Sequence, residues 1–179
     1  MSQNLKPVVI WLFTGAVLVF IMTAIGGITR LTESGLSMVD WNLIMGSIPP
    51  LTEEAWQEAF RQYQQYPEYQ ITHAHFTLSD FKSIFFWEYT HRLLGRIIGL
   101  VFIIPFVTFL IQKRISKPLF YQLLFLLFMG GFQGFLGWYM VSSGLVNEPR
   151  VSHFRLAAHL STAFFTISYS VWLALGLIQ

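Results

Sequence analysis

A cluster of ionisable residues lies at the head of a long apolar run, where a membrane helix would normally carry apolar or aromatic residues. The cluster contains Glu88, His91, Arg92 and Arg96, and the apolar run that it opens reaches Ile111. Ionisable groups at membrane depth cost roughly 2.5–3.5 kcal/mol each, so they are kept where they face a cavity, a cofactor or one another. This set of side chains could support acid–base chemistry, iron ligation or the binding of a carboxylated ligand.

A second histidine matches His91 in its position within an apolar run. His91 lies about six residues into the run that begins at Phe85, and His159 lies about five into the run that begins at Phe154. Because an α-helix rises about 1.5 Å per residue, the two imidazoles would lie at similar depth. Two such histidines on facing helices can bind a haem iron from both sides. Either one could instead form a hydrogen bond between helices.

Small residues follow both histidines at the spacing of one helical turn. Gly95 follows His91 by four residues, and Ala163 follows His159 by four. Residues four apart lie on the same face of a helix. A porphyrin could therefore approach the helix backbone beside each imidazole.

Three arginines are expected at the same level as the histidines. Arg92, Arg96 and Arg155 suit haem propionates, because a guanidinium binds a carboxylate through two parallel hydrogen bonds. The same arginines could simply extend to the membrane surface. Glu88, one turn before His91, could be an ion-pair partner for Arg92 or could act as a catalytic acid–base.

The composition is that of an integral membrane protein. Of the 179 residues, 54% are hydrophobic and only 11% are charged, whereas a soluble domain carries about 25% charged residues. The net charge of +2 and the absence of any basic run longer than Lys113-Arg114 argue against nucleic-acid binding. The absence of cysteine excludes disulfides and thiolate metal sites. Aromatic residues reach 17%, which fits either lipid-facing packing or the lining of a flat ligand.

Four apolar stretches are long enough to cross a bilayer, which requires about 20 residues. They predict an all-α bundle with spans at about residues 8–28, 85–111, 119–141 and 154–178, in a single unit of residues 1–179. The short basic connection at 112–118 and Lys6 predict a cytoplasmic N-terminus. A bacterial inner membrane is the simplest location. The long segment at about 30–83 would then form an outer loop.

The outer loop has helical signals of its own. Thr52 is a candidate N-cap for an amphipathic helix that ends near Pro67 and lies on the membrane surface or covers the bundle. Thr77 with Asp80 resembles a capping box at the head of the second span. His73 and His75 are expected to be exposed to water.

A weak internal repeat relates the two halves of the chain. The first and third spans both end in Ser-Gly-Leu, at 34–36 and at 143–145, and the span that follows each one carries a histidine. We therefore expect two helical hairpins related by a pseudo-two-fold axis along the membrane normal.

The chain resembles the haem A synthase family. The similarity lies in the motifs GGITRLTESGLSM at 26–38, FKSIFFWEYTHRLLGR at 81–96, QGFLGWYMV at 133–141 and RLAAHL at 155–160. It runs in order along nearly the whole chain. The chain is most similar to the cysteine-free, proteobacterial and mitochondrial type of member.

The resemblance implies oxidation of a methyl substituent of haem O to a formyl group, giving haem A for terminal oxidases. His91 and His159 would be ligands in the substrate-haem pocket, and Glu88 would correspond to the glutamate proposed to act in catalysis. The family has eight spans in two halves, of which the second binds haem b. We therefore expect this chain to be the first half of a longer protein, or a half-length form that acts as a homodimer. Haem O synthase is a candidate donor of the substrate.

Two other functions fit the residues without the resemblance. A b-type cytochrome would use the histidine pair to hold a haem that only transfers electrons. A non-catalytic membrane scaffold would hold no haem at all. Formation of formylated haem distinguishes the enzyme from both.

Overall fold

The computed structural model describes residues 5–38, 48–144 and 150–178. Its regular structure is helical throughout. The α-helices are α1 (Lys6–Leu31), α2 (Glu53–Tyr63), α3 (Leu78–Ile111), α4 (Lys117–Val141) and α5 (His153–Gly176), and a short π-helix covers Glu68–His73. Residues 39–47 of the predicted outer loop and Leu145 of the second Ser-Gly-Leu motif lie outside the described residues.

Four of these helices can cross a membrane. Within the described residues, α1, α3, α4 and α5 have the length and the apolar composition of membrane spans. The predicted all-α class with four transmembrane helices is therefore confirmed, and the protein is a multi-pass membrane protein. Each helix overlaps its predicted span, and α3 begins seven residues before the predicted start at 85 because Thr77 and Asp80 form the expected capping box.

The long helices form a four-membered ring. Helix α1 packs against α3 and α5, α4 packs against α5, and α3 and α4 make a smaller contact. Among the described residues, α3 and α5 share at most a marginal contact and stand on opposite sides of the bundle. The two helices that carry His91 and His159 therefore face each other across its centre.

One end of the bundle is tightly packed and cross-linked by hydrogen bonds. The Trp11 indole donates to the carbonyl oxygen of Val101 at 2.8 Å, and the Ser170 hydroxyl donates to that of Leu12 at 3.0 Å. These bonds tie α3 and α5 to α1. The apolar core here is formed by Val8, Trp11, Leu12, Phe106, Leu119, Leu123, Leu126, Leu173 and Ala174.

The other end, here named the α2 end, is covered by α2. Thr52 caps this helix, as expected, by accepting a hydrogen bond from the Ala55 amide. The helix ends at Tyr63, four residues before Pro67, and its apolar face packs against the first turns of α3. Lys82 on α3 binds Glu53 of α2 at 3.0 Å across this contact. A second core forms here from Tyr63, Phe81, Ile84 and Phe85.

The exits of α1 and α4 meet at the α2 end. The buried Leu36 of the first Ser-Gly-Leu motif lies against Gly144 of the second, and a Cβ atom on Gly144 would be 2.7 Å from a Leu36 methyl carbon. The two motifs that led us to predict an internal repeat are therefore in contact. The pseudo-two-fold relation itself remains a prediction.

Candidate functional site

Glu88 is buried at the head of α3 and is surrounded by donors. The residue is 3% exposed. One carboxylate oxygen accepts from the Ser37 hydroxyl and from the Met38 amide, both at 2.7 Å, and the other accepts from the Arg92 guanidinium. Glu88 therefore joins the segment that follows α1 to α3. The sequence did not identify Ser37 and Met38 as partners, although both belong to the 26–38 motif.

Arg92 and Arg96 make hydrogen bonds within the protein. Arg92 donates to Glu88 and, at 2.8 Å, to the carbonyl oxygen of Met38, and its side chain is 8% exposed. Arg96 donates to the carbonyl oxygen of Arg92 at 2.9 Å. Of the alternatives left open for Arg92, the ion pair with Glu88 is present. Binding of a propionate by either arginine remains a prediction.

His91 lies against helix α1. A Cβ atom on Gly26 would be 3.1 Å from its Nε2 atom, which is tighter than ordinary contact. Gly95, one turn further along α3, lies against α1 in the same way, because its Cβ would be 3.3 Å from the Met22 terminal methyl. Glycines on both helices therefore permit the close approach that holds the His91 ring. Gly26 was not among the predicted site residues.

His159 has a buried nitrogen without a partner. Among the described residues, its Nδ1 atom is the only buried side-chain nitrogen or oxygen that makes no hydrogen bond. Its backbone carbonyl accepts from the Gln133 amide at 3.1 Å, which ties α4 to α5. An unpaired buried nitrogen is costly unless another group binds it.

Arg155 lies at the junction of α4 and α5. Its guanidinium carbon is 3.8 Å from the centre of the Tyr139 ring, and Nη1 donates to the Tyr139 carbonyl at 2.6 Å. The Ser142 hydroxyl accepts a weaker bond at 3.4 Å. The arginine is thus held at the α2 end of the bundle by stacking and hydrogen bonding.

The prediction that His73 is exposed to water is wrong. His73 is 5% exposed, and its Nδ1 atom is 2.7 Å from the Tyr63 hydroxyl. The π-helix turns the ring inwards, where it stacks on Phe76. Alternating His residues in a polar loop gave no signal for this, because burial here depends on α2 folding over the segment. His75 is exposed, as predicted.

The arrangement fits a haem better than a bare metal ion. Within the described residues, no group of three or more metal-binding side chains could hold an ion. A haem needs only one or two protein ligands. His91 and His159 are imidazoles on helices that face each other across the bundle, and the buried Nδ1 atom of His159 makes no hydrogen bond within the described residues, so the two have the chemistry of such ligands. Two shallow apolar grooves lie on the surfaces of α1 and α3, and neither histidine lines them.

Comparison with known proteins identifies the family. A family model described as cytochrome oxidase assembly protein, COX15-CtaA, matches residues 9–179. The chain belongs to this family. It is 58% identical to a haem A synthase of Flavobacterium psychrophilum over 98% of the chain, and 50% identical to one of Nitrosospira multiformis over 97%. Similarity to the haem A synthases is thus confirmed. No solved structure matches the chain.

The chain spans about half the length of the curated COX15-CtaA relatives that it matches. It covers 52% of the Flavobacterium psychrophilum protein and 49% of the Nitrosospira multiformis protein. This agrees with the expectation that the chain is the N-terminal half of the family's architecture.

Proposed function

We propose that the protein forms the substrate-haem half of a haem A synthase, which oxidises a methyl group of haem O to a formyl group. Two successive hydroxylations of the methyl carbon would give a geminal diol, and loss of water would leave the formyl group. The observation that carries the proposal is the pair of histidines on opposite helices, one of which has an unpaired buried nitrogen. Identity of 50–58% to haem A synthases supports the reaction.

His91 and His159 would bind the haem iron. Their helices face each other with little mutual contact, so a flat ring between them would not have to break a packed interface. Gly95, one turn after His91, lies against Met22 and would keep α1 and α3 close together beside the ring. Arg155, Arg92 and Arg96 would neutralise the propionates, and all three lie near the α2 end of the bundle.

Glu88 would position or deprotonate a water molecule beside the reacting methyl group. It lies one helical turn before His91 and therefore on the same side of α3. Its three donors hold the carboxylate in one orientation, which favours a fixed acceptor of hydrogen bonds.

The location and the partners follow from the same proposal. The protein would lie in the bacterial inner membrane with its N-terminus in the cytoplasm, so that the α2 end faces outwards. A prosthetic haem b would be held by the second half of a longer chain or by a partner subunit, including a second copy of this chain. Haem O synthase would supply haem O.

Incubation of the complete protein with haem O tests the proposal. We expect formylated haem to form, and we expect His91→Ala and His159→Ala each to lose the Soret band of the bound substrate. His75→Ala is the matched control, because His75 is exposed and should leave both signals unchanged. Haem binding without any hydroxylated or formylated product would indicate a b-type cytochrome. An unchanged Soret band in both alanine variants would mean that neither histidine binds the haem.

A further inference from the structure

A chain of buried polar groups runs through the α2 end, separate from the histidine pair. Tyr63, Glu68 and His73 are 0%, 4% and 5% exposed. The Tyr63 hydroxyl is 3.0 Å from the Glu68 carboxylate and 2.7 Å from Nδ1 of His73. The Nε2 atom of His73 is 3.7 Å from the carboxylate of Glu33, whose side chain is 55% exposed. The chain therefore leads from water to a buried carboxyl group.

Apolar side chains could pack in the positions of Tyr63, Glu68 and His73 without their polar groups. The Tyr63 ring stacks on Phe81, a contact that phenylalanine would also make. Burying a phenol, a carboxyl and an imidazole together is costly unless every group is paired. The cluster thus retains polar groups where apolar ones would fill the same space.

Tyr63 and His73 can each donate and accept a hydrogen bond at the same time, and a carboxyl group accepts when ionised and donates when protonated, so two arrangements exist. With Glu68 ionised, Nδ1–H of His73 donates to the Tyr63 oxygen and the hydroxyl donates to Glu68. When Nε2 of His73 gains a proton from Glu33, His73 gives up its Nδ1 proton. The Nδ1–H bond breaks, and the oxygen of Tyr63 takes the Nδ1 proton. At the same time the original O–H bond of Tyr63 breaks, and Glu68 takes the original hydroxyl proton. One proton has then moved from Glu33 to Glu68, and Tyr63 and His73 are neutral again. The same steps in reverse carry a proton from Glu68 out to Glu33 and restore the first tautomer of His73.

The electrostatic surroundings suit this exchange. Burial, together with the charges of Glu88 on α3 and Glu33 after α1, raises the pKa of Glu68 to about 8, although the Tyr63 hydrogen bond opposes the rise. Burial lowers the pKa of His73, with Glu33 opposing and His75 assisting. Burial and the nearby Glu68, Glu88 and Tyr69 raise the pKa of Tyr63, so its hydroxyl exchanges protons without ionising.

The buried end of the chain is electrostatically coupled to Glu88. Glu88 lies one helical turn after Ile84, which belongs to the same core as Tyr63, and Met38, whose amide donates to Glu88, packs against that core. The Glu88 charge also contributes to the raised pKa values of Glu68 and Tyr63. A buried base that takes up a proton in each turnover has to release it before the next, and Glu88 is only 3% exposed. We propose that Glu33, His73, Tyr63 and Glu68 form a proton-transfer chain between the water at the α2 end and Glu88. The proposal rests on the proposed function, which assigns Glu88 its acid–base role.

Tyr63→Phe tests the chain, because it removes the shared hydroxyl and keeps the ring. Tyr69→Phe is the matched control: its hydroxyl contacts the Gln64 amide and the Ala74 carbonyl, outside the chain. In the complete protein, we expect Tyr63→Phe to lower the rate of formyl-haem formation on the order of 10²-fold at unchanged Soret absorption. Tyr69→Phe should behave as the wild type. Equal rates in the two variants would overturn the proposal.

Infrared titration tests the chain without relying on turnover. We expect the wild type to show a protonated carboxyl band that disappears with a midpoint near pH 8. Glu68→Gln should lack the band, and Tyr63→Phe should shift its frequency and midpoint. If the wild type forms no formylated haem, the proposed function fails and the infrared result alone decides about the chain. A wild type without a carboxyl band that titrates above pH 6 rules the chain out.

Discussion

At the scale of single residues, Glu88 connects the polar site to the fold. An ionised carboxylate that is 3% exposed is tolerated only when it is fully paired. Here the Ser37 hydroxyl, the Met38 amide and the Arg92 guanidinium supply the donors. Because two of these donors follow α1 and the third lies on α3, the same bonds that stabilise the charge also hold two helices in register.

Glu88→Ala should therefore destabilise the protein as well as affect any chemistry. It leaves the Arg92 charge buried without its carboxylate, and removal of one partner of a buried ion pair costs about 3–5 kcal/mol. We expect a clear fall in the thermal unfolding midpoint in detergent. Glu58→Ala is the control, because the Glu58–Arg61 pair is exposed and should change the midpoint little. Equal shifts in the two variants would contradict the structural role of Glu88.

Gly26→Ala should weaken haem binding through His91. The new Cβ would lie 3.1 Å from Nε2, so the ring would have to move by a few tenths of an ångström. Substitutions that disturb the orientation of a metal ligand typically cost 10–100-fold in affinity, and we expect a loss of about tenfold in a Soret titration. Gly27→Ala is the matched control, since nothing lies within 4 Å of its Cβ. Comparable haem affinity in both variants would mean that His91 does not bind the haem.

The sequence predicted the identities of the site residues better than their partners. Ionisable side chains in an apolar run can be recognised from the sequence, because their free-energy cost at membrane depth means that they are kept only where they have a partner or a function. The partners of Glu88 could not be predicted in this way. Ser37 lies 51 positions away and carries no such anomaly, and its role depends on how the segment after α1 folds back onto α3. The burial of His73 depends likewise on tertiary contacts with α2.

At the scale of elements, the contact between the α1 and α4 exits should be sensitive to added volume. Gly144→Ala would put a Cβ atom 2.7 Å from a methyl carbon of Leu36, which is 2% exposed, and 3.3 Å from the backbone of Arg150. Overpacking of this kind costs about 1–3 kcal/mol, so we expect a lower thermal unfolding midpoint. Gly134→Ala on α4 is the control, because its Cβ meets nothing within 4 Å and alanine favours a helix. A Gly144→Ala protein as stable as Gly134→Ala would mean that the exits do not pack tightly.

The long helices could be predicted from the sequence because their signal is local. A run of about 20 apolar residues suffices to indicate a span, and the caps Thr52 and Thr77 are visible as residue types at helix starts. The order of the helices around the ring could not be predicted. It depends on contacts such as Trp11 to Val101 and Ser170 to Leu12, which join residues far apart in the chain.

At the scale of the whole molecule, the two apolar cores lie at opposite ends and the histidines lie between them. The core at one end joins all four long helices, and the core at the α2 end joins α2 to the head of α3. Between the two cores lies the Gln133 amide, which binds the carbonyl oxygen of His159. The same division makes the α2 end a separate packing unit, and this unit contains the buried titratable cluster of Tyr63, Glu68 and His73.

The pH dependence of stability should therefore report on Glu68. Its pKa rises from 4.5 to about 8 on folding, so the folded protein keeps a proton that the unfolded chain releases. This contribution is fully present below about pH 4.5 and is lost as the pH rises to 8. His73 acts in the opposite direction, because its pKa is lowered from 6.5 on folding, and its contribution is complete above that value. Between pH 6.5 and 8, the titration of Glu68 changes the stability and that of His73 does not.

In this window we expect the free energy of unfolding to fall as the pH rises, by at most about 1.4 kcal/mol per pH unit. Thermal unfolding in detergent at several pH values measures the slope. Glu68→Gln should flatten it, because the amide does not titrate and can still bond to the Tyr63 hydroxyl. Glu58→Gln, at an exposed position, should keep the slope of the wild type. Equal slopes in the wild type and in Glu68→Gln would mean that Glu68 is ionised at neutral pH and that the buried cluster does not store a proton.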